Sequence, residues 1–289
     1  MLEIFITMRF GVHVSVAGGL HMGLRRAVQL GCDTAQLFLV NPRAWQSPPL
    51  TDKAIELFQN TRQTEAKWIS PLIAHMPYLP NLAAADDDIF EKSIAALRDN
   101  LKRCDALGID FLVTHMGRGE GHGGTARMRE GIARAYGDDH FNVCLLLENT
   151  AGQGREMGSQ VTDLCEFYGM LPEGISKGIC IDTCHAFAAG YDISQKESLR
   201  KLIQEFQQYI GFFEVKVIHV NDSLKPLGSR VDRHAKIGQG MIGTEGFHEF
   251  FANTKIRKLP CILEVPRKSD EEDIEQLQLV RSLAARGPK

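Results

Sequence analysis

The sequence predicts an α/β fold: a single (β/α)8 TIM barrel with a metal site at the C-terminal face of its strands. The first observation is that short apolar runs alternate with amphipathic stretches about eight times along 289 residues, or about 36 residues per unit. Such alternation builds a parallel sheet, and a closed barrel of eight units typically takes about 250 residues. The second observation is that metal-binding residue types recur at the strand ends with the same period.

Eight runs rich in β-branched or apolar residues are the strand candidates. They span residues 10–14, 34–39, 68–75, 111–115, 142–148, 178–182, 215–220 and 261–265. An open, doubly wound sheet is the alternative to a barrel. The segment VSVAGGLHMG after the first strand lacks the glycine spacing and the acidic partner of a dinucleotide-binding turn, which favours the barrel.

Amphipathic stretches at residues 21–31, 52–66 and 88–108 are the clearest helix candidates. Gly31 and Gly108 stand where helices are expected to end. The glycine-rich segment 117–124 is predicted to be one long loop within a single domain that spans residues 9–289. Residues 1–8 are predicted to be an N-terminal extension, with Met8 as an alternative start.

Composition excludes several classes of protein. Hydrophobic residues make up 44% and charged residues 24%, which is typical of a folded globular protein and not of a disordered chain. The net charge of −3 means that a nucleic-acid partner would need a local basic surface. The seven cysteines include no CxxC pair and several lie in apolar runs, which predicts a reducing, cytoplasmic location. No apolar stretch approaches the roughly 18 residues of a membrane span, so no membrane partner is expected.

Side chains that bind metals follow six of the predicted strands. They are separated by 33 to 45 residues, the length of one β/α unit, and they are His75, His115, Glu148, Asp182, His219 and Glu264. A single such residue is more often a helix cap or a satisfied hydrogen-bonding group, but six in phase are an improbable accident. Parallel strand ends meet at one face of a barrel, where the active sites of this fold lie. His185, Asp232 and His234 are three further candidates nearby.

The residue types also indicate which metal is bound. Five histidines and four carboxylates without a thiolate favour Zn²⁺, Mn²⁺ or Fe²⁺ over Mg²⁺ or Ca²⁺. Because a catalytic zinc usually takes about three protein ligands, nine ligands suffice for two or three ions. Metals about 3.5–4 Å apart suit phosphodiester hydrolysis. His13, which follows the first strand, is expected either to touch substrate or simply to pack.

Five longer motifs resemble the endonuclease IV family of apurinic/apyrimidinic (AP) endonucleases, over residues from about 9 to about 284. They are AHMPYLPNLA, LLLENTAGQG, GICIDTCHAFAAGYD, HVNDS and LGSRVDRHAKIGQGMIG. The resemblance implies a zinc-dependent DNA-repair hydrolase that cuts duplex DNA 5′ to abasic sites. The products would carry a 3′-hydroxyl and a 5′-deoxyribose phosphate, and a 3′-end-cleaning phosphodiesterase activity is also implied.

The resemblance further implies three zinc ions per chain and a role for each candidate. His75, His115 and Glu148 would hold the first ion; Glu148 would bridge to a second ion held by Asp182, His219 and Glu264; His185, Asp232 and His234 would hold the third. Glu148 and Glu264 are the catalytic candidates, and Glu264 would steer or deprotonate the attacking water.

Damage recognition is expected from loops on the same face. The resemblance assigns Arg43, Tyr78 and Leu79 to insertion into the duplex at the lesion. A hydrophobic loop that packs onto its own barrel is the alternative interpretation. Arg230 and Arg233 are expected to contact DNA. The expected partner is duplex DNA containing abasic sites, bound by a monomer at the nucleoid.

Two rival functions remain open at this point. A metal-dependent sugar isomerase or epimerase of the xylose-isomerase-like type would use the same barrel, although such sites need fewer ligands than the nine present. A non-catalytic sensor of damaged DNA would not require all nine. The number of metals per chain discriminates between the first rival and the endonuclease.

Overall fold

In a computed structural model that describes residues 8–119 and 121–286, strands and helices alternate along the chain as predicted. The elements are β1 (Phe10–Val12), α1 (Leu20–Gln29), β2 (Ala35–Leu37), α2 (Asp52–Thr64), β3 (Leu72–His75), α3 (Asp87–Leu107), β4 (Phe111–His115), α4 (Gly121–Tyr136), β5 (Cys144–Glu148), α5 (Val161–Met170), β6 (Lys177–Asp182), α6 (Thr183–Ala188), α7 (Lys196–Tyr209), β7 (Val215–His219), β8 (Asp222–Ser223), β9 (His234–Ala235), α8 (Gly243–Ala252), β10 (Cys261–Leu263) and α9 (Asp270–Ala285). Of the predicted extension, residues 1–7 lie outside the described residues, and Met8 is buried.

Eight parallel strands form one sheet in the order β1-β10-β7-β6-β5-β4-β3-β2. A parallel bridge between His13 and Gln36 joins the two outer strands, and the backbone N–H of Val14 donates to the Gln36 carbonyl oxygen at 2.8 Å. Gly11 permits this approach, because a Cβ there would overlap the backbone carbonyl of Thr34. The sheet therefore closes into the predicted barrel, and the open doubly wound alternative was wrong.

The barrel interior is filled by a buried apolar layer, formed by Ile73, Val113, Leu146, Cys180, Val217 and Ile262. Side chains of a strand alternate between its two faces, so residues two apart point the same way. The residue two positions after each member of this layer is one of the six metal-type candidates. The fold therefore places those six side chains in the next layer of the barrel, directly above this apolar layer. We call the apolar layer the apolar plug.

Helix α3 shows how local sequence sets the outer ring. The Asp86 side chain accepts a hydrogen bond from the Ile89 N–H at the helix start, and Gly108 ends the helix in the left-handed conformation with φ of 68°. Helix α4 was not predicted to begin so early: it starts at Gly121, inside the segment expected to be loop. Its packing on α3, with the Arg127 guanidinium 4.0 Å from the Phe90 ring centre, outweighs the low helix propensity of glycine.

The remaining sequence predictions concern the cysteine thiols and a possible membrane span. All seven cysteines are free thiols, and all but the half-buried Cys144 are buried. Burial raises the pKa of Cys32 and Cys180 to about 12, so these thiols behave as small apolar groups. Among the described helices, none combines the length and the apolar character needed to cross a bilayer.

Candidate metal centre

The nine predicted side chains meet at the C-terminal end of the barrel in three groups. Within each group, every residue offers one ligand atom, and these atoms lie within 4.8 Å of one another. The groups are His75, His115 and Glu148; Glu148, Asp182, His219 and Glu264; and His185, Asp232 and His234. This is the grouping that the resemblance implies. A further group of Asp182, Cys184 and His234 overlaps with the last two.

The fully buried carboxylate of Glu148, at the end of β5, is the centre of the cluster. Its Oε2 atom lies 2.9 Å from His115 Nε2 and 3.1 Å from His75 Nε2. Its Oε1 atom lies 3.0 Å from His219 Nδ1 and 3.4 Å from His185 Nδ1. The two oxygens thus face different sets of imidazoles, an arrangement suited to a carboxylate that bridges two cations.

Asp182 is the last residue of strand β6 and the N-cap of helix α6, which follows it. Its Oδ1 atom accepts a hydrogen bond from the His185 backbone N–H at 2.7 Å, which caps α6 and brings His185 back toward the cluster. Its Oδ2 atom accepts from the Asn221 side-chain amide at 2.6 Å. Glu264, at the end of β10, completes this group with Oε2 3.2 Å from His219 Nδ1.

In the last group, His234 lies in β9 of the short antiparallel pair β8–β9, Asp232 lies in the loop before β9, and His185 lies in α6. His234 Nε2 lies 3.3 Å from Asp232 Oδ1 and 3.7 Å from Asp182 Oδ2, and His185 Nε2 lies 3.4 Å from Asp232 Oδ2. His234 Nε2 is buried, and none of the described residues forms a hydrogen bond with it. Buried polar atoms are almost always satisfied, so an imidazole nitrogen left among carboxylate oxygens fits a shared divalent cation.

Electrostatics keep the central carboxylates ionised. Burial by itself raises the pKa of Glu148, but the charges of His115 and His219 more than offset this and hold its pKa well below the usual range. The pKa of Glu264 is likewise lowered, because the charge of His219 and a hydrogen bond from His13 outweigh burial. Both groups are anions at neutral pH and need positive partners.

The group of His185, Asp232 and His234, which we call the outer set, also contains an ionised carboxylate beside a charged imidazole. Burial opposes ionisation of Asp232, yet the hydrogen bond and charge of His185 lower the pKa of this carboxyl to about 2. Burial lowers the pKa of His185, and the charge of Asp182 with the hydrogen bond to Asp232 raises it well above its ordinary value. Protons on the imidazoles thus balance the carboxylates, and divalent cations with nitrogen and oxygen ligands would do the same.

A cleft of about 590 Å³ opens above the cluster. Tyr78 and Arg233 of the predicted DNA-contacting set line it. Tyr78 is 65% exposed, and its ring lies edge-on to Phe38 with the ring centres 5.3 Å apart. Its backbone N–H donates to the Pro42 carbonyl at 3.1 Å, which ties its loop to the loop that carries Arg43.

The other three predicted DNA contacts, Arg43, Leu79 and Arg230, lie outside the lining of the cleft. Leu79 follows Tyr78 and is 37% exposed. Arg230 is exposed and has a φ of 52°, and its backbone N–H donates to the Ala188 carbonyl at 2.9 Å. The loop between β8 and β9 is therefore tied to α6 while its basic side chain faces solvent.

Three amides in the site were missed by sequence reasoning. Asn149 holds the backbone of Asp182, with its Oδ1 accepting at 2.7 Å, and Asn221 holds both the Asp182 carboxylate and the Glu264 backbone. Gln36 contacts Glu264, and so does His13, which lies 3.3 Å away. Their positions in the sequence could have indicated these amides. Two of them lie within two residues of a predicted ligand, and Gln36 is the one polar residue of the apolar strand β2.

The fold and the site together define a class: TIM-barrel proteins with metal-binding side chains at the C-terminal face of the strands. Residues 24–283 match a family model described as a xylose isomerase-like TIM barrel. A D-tagatose 3-epimerase-like protein superposes with a TM-score of 0.68 over 96% of this chain and 97% of its own, at 16% identity, which shows the fold alone.

Within this class, the chain belongs to the endonuclease IV family. It is 42% identical to a probable endonuclease 4 of Chloroflexus aurantiacus, over 95% of this chain and 98% of that protein. The crystal structure of endonuclease IV from Thermus thermophilus superposes with a TM-score of 0.84 at 34% identity, covering 95% of this chain and 98% of that one. The family predicted from the sequence motifs is confirmed.

Proposed function

We propose that this protein is an AP endonuclease that hydrolyses the phosphodiester bond 5′ to abasic sites in duplex DNA. It leaves a 3′-hydroxyl and a 5′-deoxyribose phosphate, depends on three zinc ions, and also removes blocking groups from 3′ ends. The proposal includes a cytoplasmic monomer that associates with the nucleoid when it acts on DNA. Membership of the endonuclease IV family supports the DNA-cleaving activity.

One observation carries the zinc-dependent reaction: nine imidazole and carboxylate groups converge in three sets, two of which share Glu148. A sugar isomerase or epimerase would not need the outer set of His185, Asp232 and His234. The first set lies at the ends of β3, β4 and β5, and the second is the most deeply buried. Each set would hold one zinc ion, and Glu148, which belongs to the first two sets, would be a ligand shared by both.

The metal ions, when bound, would polarise the phosphate, activate water and stabilise the leaving oxygen. The chain itself supplies the remaining parts of the reaction. Glu264 lies at the cleft surface, and its anionic carboxylate is placed to orient the attacking water and accept its proton. Glu148, the second catalytic candidate, is fully buried and its two oxygens face different imidazoles, so its assigned role is to hold metal ions.

Recognition of the lesion is assigned to the rim of the cleft. An abasic nucleotide lacks a base to stack, so extruding it costs less than flipping an intact one. Tyr78 and Leu79 present an aromatic and an aliphatic side chain to solvent beside the cleft, where they can fill the gap in the helix. Arg43, Arg230 and Arg233 lie on loops around the same mouth and are assigned to DNA contacts.

Incubation with a duplex that contains one abasic site tests this proposal. The strand should be labelled at its 5′ end in one preparation and at its 3′ end in another, so that both product ends can be identified. An intact duplex of the same sequence is the control substrate. Cleavage confined to the lesion with a 3′-hydroxyl product is expected; a product that bears a 3′ sugar fragment would contradict hydrolysis on the 5′ side.

A further inference from the structure

Gln36 lies at the centre of β2 and its side chain is fully buried inside the barrel. It pairs in register with Ile73, so it occupies the level of the apolar plug and not the level of the candidate ligands. Its side chain reaches upward to three members of the site. Gln36 Nε2 lies 2.5 Å from Glu264 Oε1 and 3.0 Å from His13 Nδ1, and Gln36 Oε1 lies 2.8 Å from His219 Nε2.

These contacts fix which way the amide points. The amide nitrogen is a donor only, and it faces the Glu264 carboxylate; the amide oxygen is an acceptor only, and it faces a histidine nitrogen. With the amide reversed, its oxygen would face the carboxylate oxygen of Glu264, which is repulsive. The orientation is therefore set by the charge on Glu264.

The orientation of the amide in turn fixes the histidine. His219 Nε2 must carry a proton to donate to Gln36 Oε1, so Nδ1 is the nitrogen available to a cation. Nδ1 lies 3.0 Å from Glu148 Oε1 and 3.2 Å from Glu264 Oε2. These two carboxylate oxygens and Nδ1 belong to the second candidate group, whose ligand atoms lie within 4.8 Å of one another, so Nδ1 is the nitrogen that would face a bound cation.

We propose that Gln36 is a positioning residue for the second metal group, because its single amide orients both a ligand imidazole, His219, and a ligand carboxylate, Glu264. This inference rests on the proposed zinc-dependent function. Outer hydrogen bonds of this kind set the tautomer and orientation of metal-bound histidines, and their loss typically costs about 10- to 100-fold in metal affinity or activity.

The competing explanation is that Gln36 only fills space beneath the site. Its neighbours in the plug are apolar, and a methionine of similar volume would fill the same space. The variant Gln36→Met therefore removes the three polar contacts and keeps the packing. Gln276→Met is the matched control, since Gln276 is also a buried glutamine, and its Oε1 accepts a hydrogen bond from the Ile237 N–H at 2.7 Å, a contact that involves none of the nine candidate ligands.

Zinc affinity of the full-length protein is measured by competition with a chromophoric chelator, and the visible absorption of the cobalt-substituted protein reports the ligand geometry. For Gln36→Met we expect one zinc per chain to bind about 10- to 100-fold more weakly and the cobalt spectrum to change. We also expect kcat on abasic duplex to fall while KM is unchanged, because the buried Gln36 cannot touch DNA. Gln276→Met should match the wild type in all three measurements.

A second variant tests the contact of Gln36 with His219 separately from its contact with Glu264. Gln36→Glu keeps an acceptor for His219 but places a carboxylate against Glu264. Its zinc affinity should lie closer to that of the wild type than the affinity of Gln36→Met does, while kcat falls. Zinc affinity as weak as in Gln36→Met would overturn the assignment of the His219 tautomer.

Failure of the positioning role of Gln36 and failure of the proposed function give different experimental results. Wild-type zinc affinity and spectrum in Gln36→Met, or equal losses in Gln36→Met and Gln276→Met, would overturn the positioning role. A wild-type protein that binds zinc but leaves abasic duplex intact would overturn the proposed function alone. A wild-type protein that binds no zinc would overturn both.

Discussion

Replacement of Tyr78 by alanine tests lesion recognition separately from metal binding. Tyr78 is 65% exposed, and its ring packs edge-on with Phe38, a contact worth about 0.5–1.5 kcal/mol. Tyr78 is not among the candidate metal ligands. The variant should therefore fold and keep its zinc, with at most a small loss of stability.

The magnitude follows from the stacking surface that is lost. A base-stacking aromatic contributes about 1–3 kcal/mol, and about 1.4 kcal/mol is tenfold in affinity. Tyr78→Ala should thus weaken binding to an abasic duplex by about ten- to a hundredfold. Binding to an intact duplex rests mainly on phosphate contacts and should change much less.

The assay is a paired titration of wild type and variant on abasic and intact duplexes at one fixed salt concentration. Phe213→Ala is the matched control, since Phe213 is 71% exposed and lies just before β7 begins, at the end of the strand opposite the candidate metal centre. Equal losses on both duplexes, or no loss on either, would refute the wedge role. Tyr78 would then be assigned to packing of its own loop.

Three further outcomes are expected. Elemental analysis of dialysed protein should find close to three zinc ions per chain, and a single metal or magnesium alone would contradict the nine-ligand assignment. Glu264→Gln is nearly isosteric but removes the negative charge, so cleavage of abasic duplex should be abolished while the circular dichroism spectrum is unchanged. Near-normal turnover would contradict the catalytic role assigned to Glu264. Asp222→Asn should lower the free energy of unfolding by about 3 kcal/mol or more, because the buried carboxylate accepts five backbone N–H bonds; the exposed Asp138→Asn is the control in denaturant titration, and equal midpoints would contradict the prediction.

The strands and the placement of the six candidate ligands at the strand ends could be predicted because two sequence periods coincide. The β/α unit sets the spacing between strand ends, and the two-residue alternation of a strand sets which side chain faces inward. His75, His115 and Glu148 illustrate this: each ends an apolar run, and each lies two residues after a member of the plug. Both signals are local in the sequence.

The contributions of Gln36, Asn149 and Asn221 could not be predicted, because they depend on contacts between distant strands. Gln36 meets Glu264 only after β1 and β2 close the barrel, a separation of 228 residues along the chain. No residue near Gln36 in the sequence indicates its partner. Helix α4 was misjudged for a related reason, since packing on α3 and not intrinsic propensity decides where it begins.

Zinc-dependent AP endonuclease activity is tested most directly by metal-dependent cleavage of an abasic duplex, with the product ends identified. The protein is stripped of metal with a chelator, assayed, and then assayed again after zinc is restored to three equivalents per chain. We predict no cleavage by the stripped protein and, with zinc restored, cleavage 5′ to the lesion that yields a 3′-hydroxyl and a 5′-deoxyribose phosphate. Equal cleavage with and without zinc, or none by a protein that holds three zinc ions, would contradict the account.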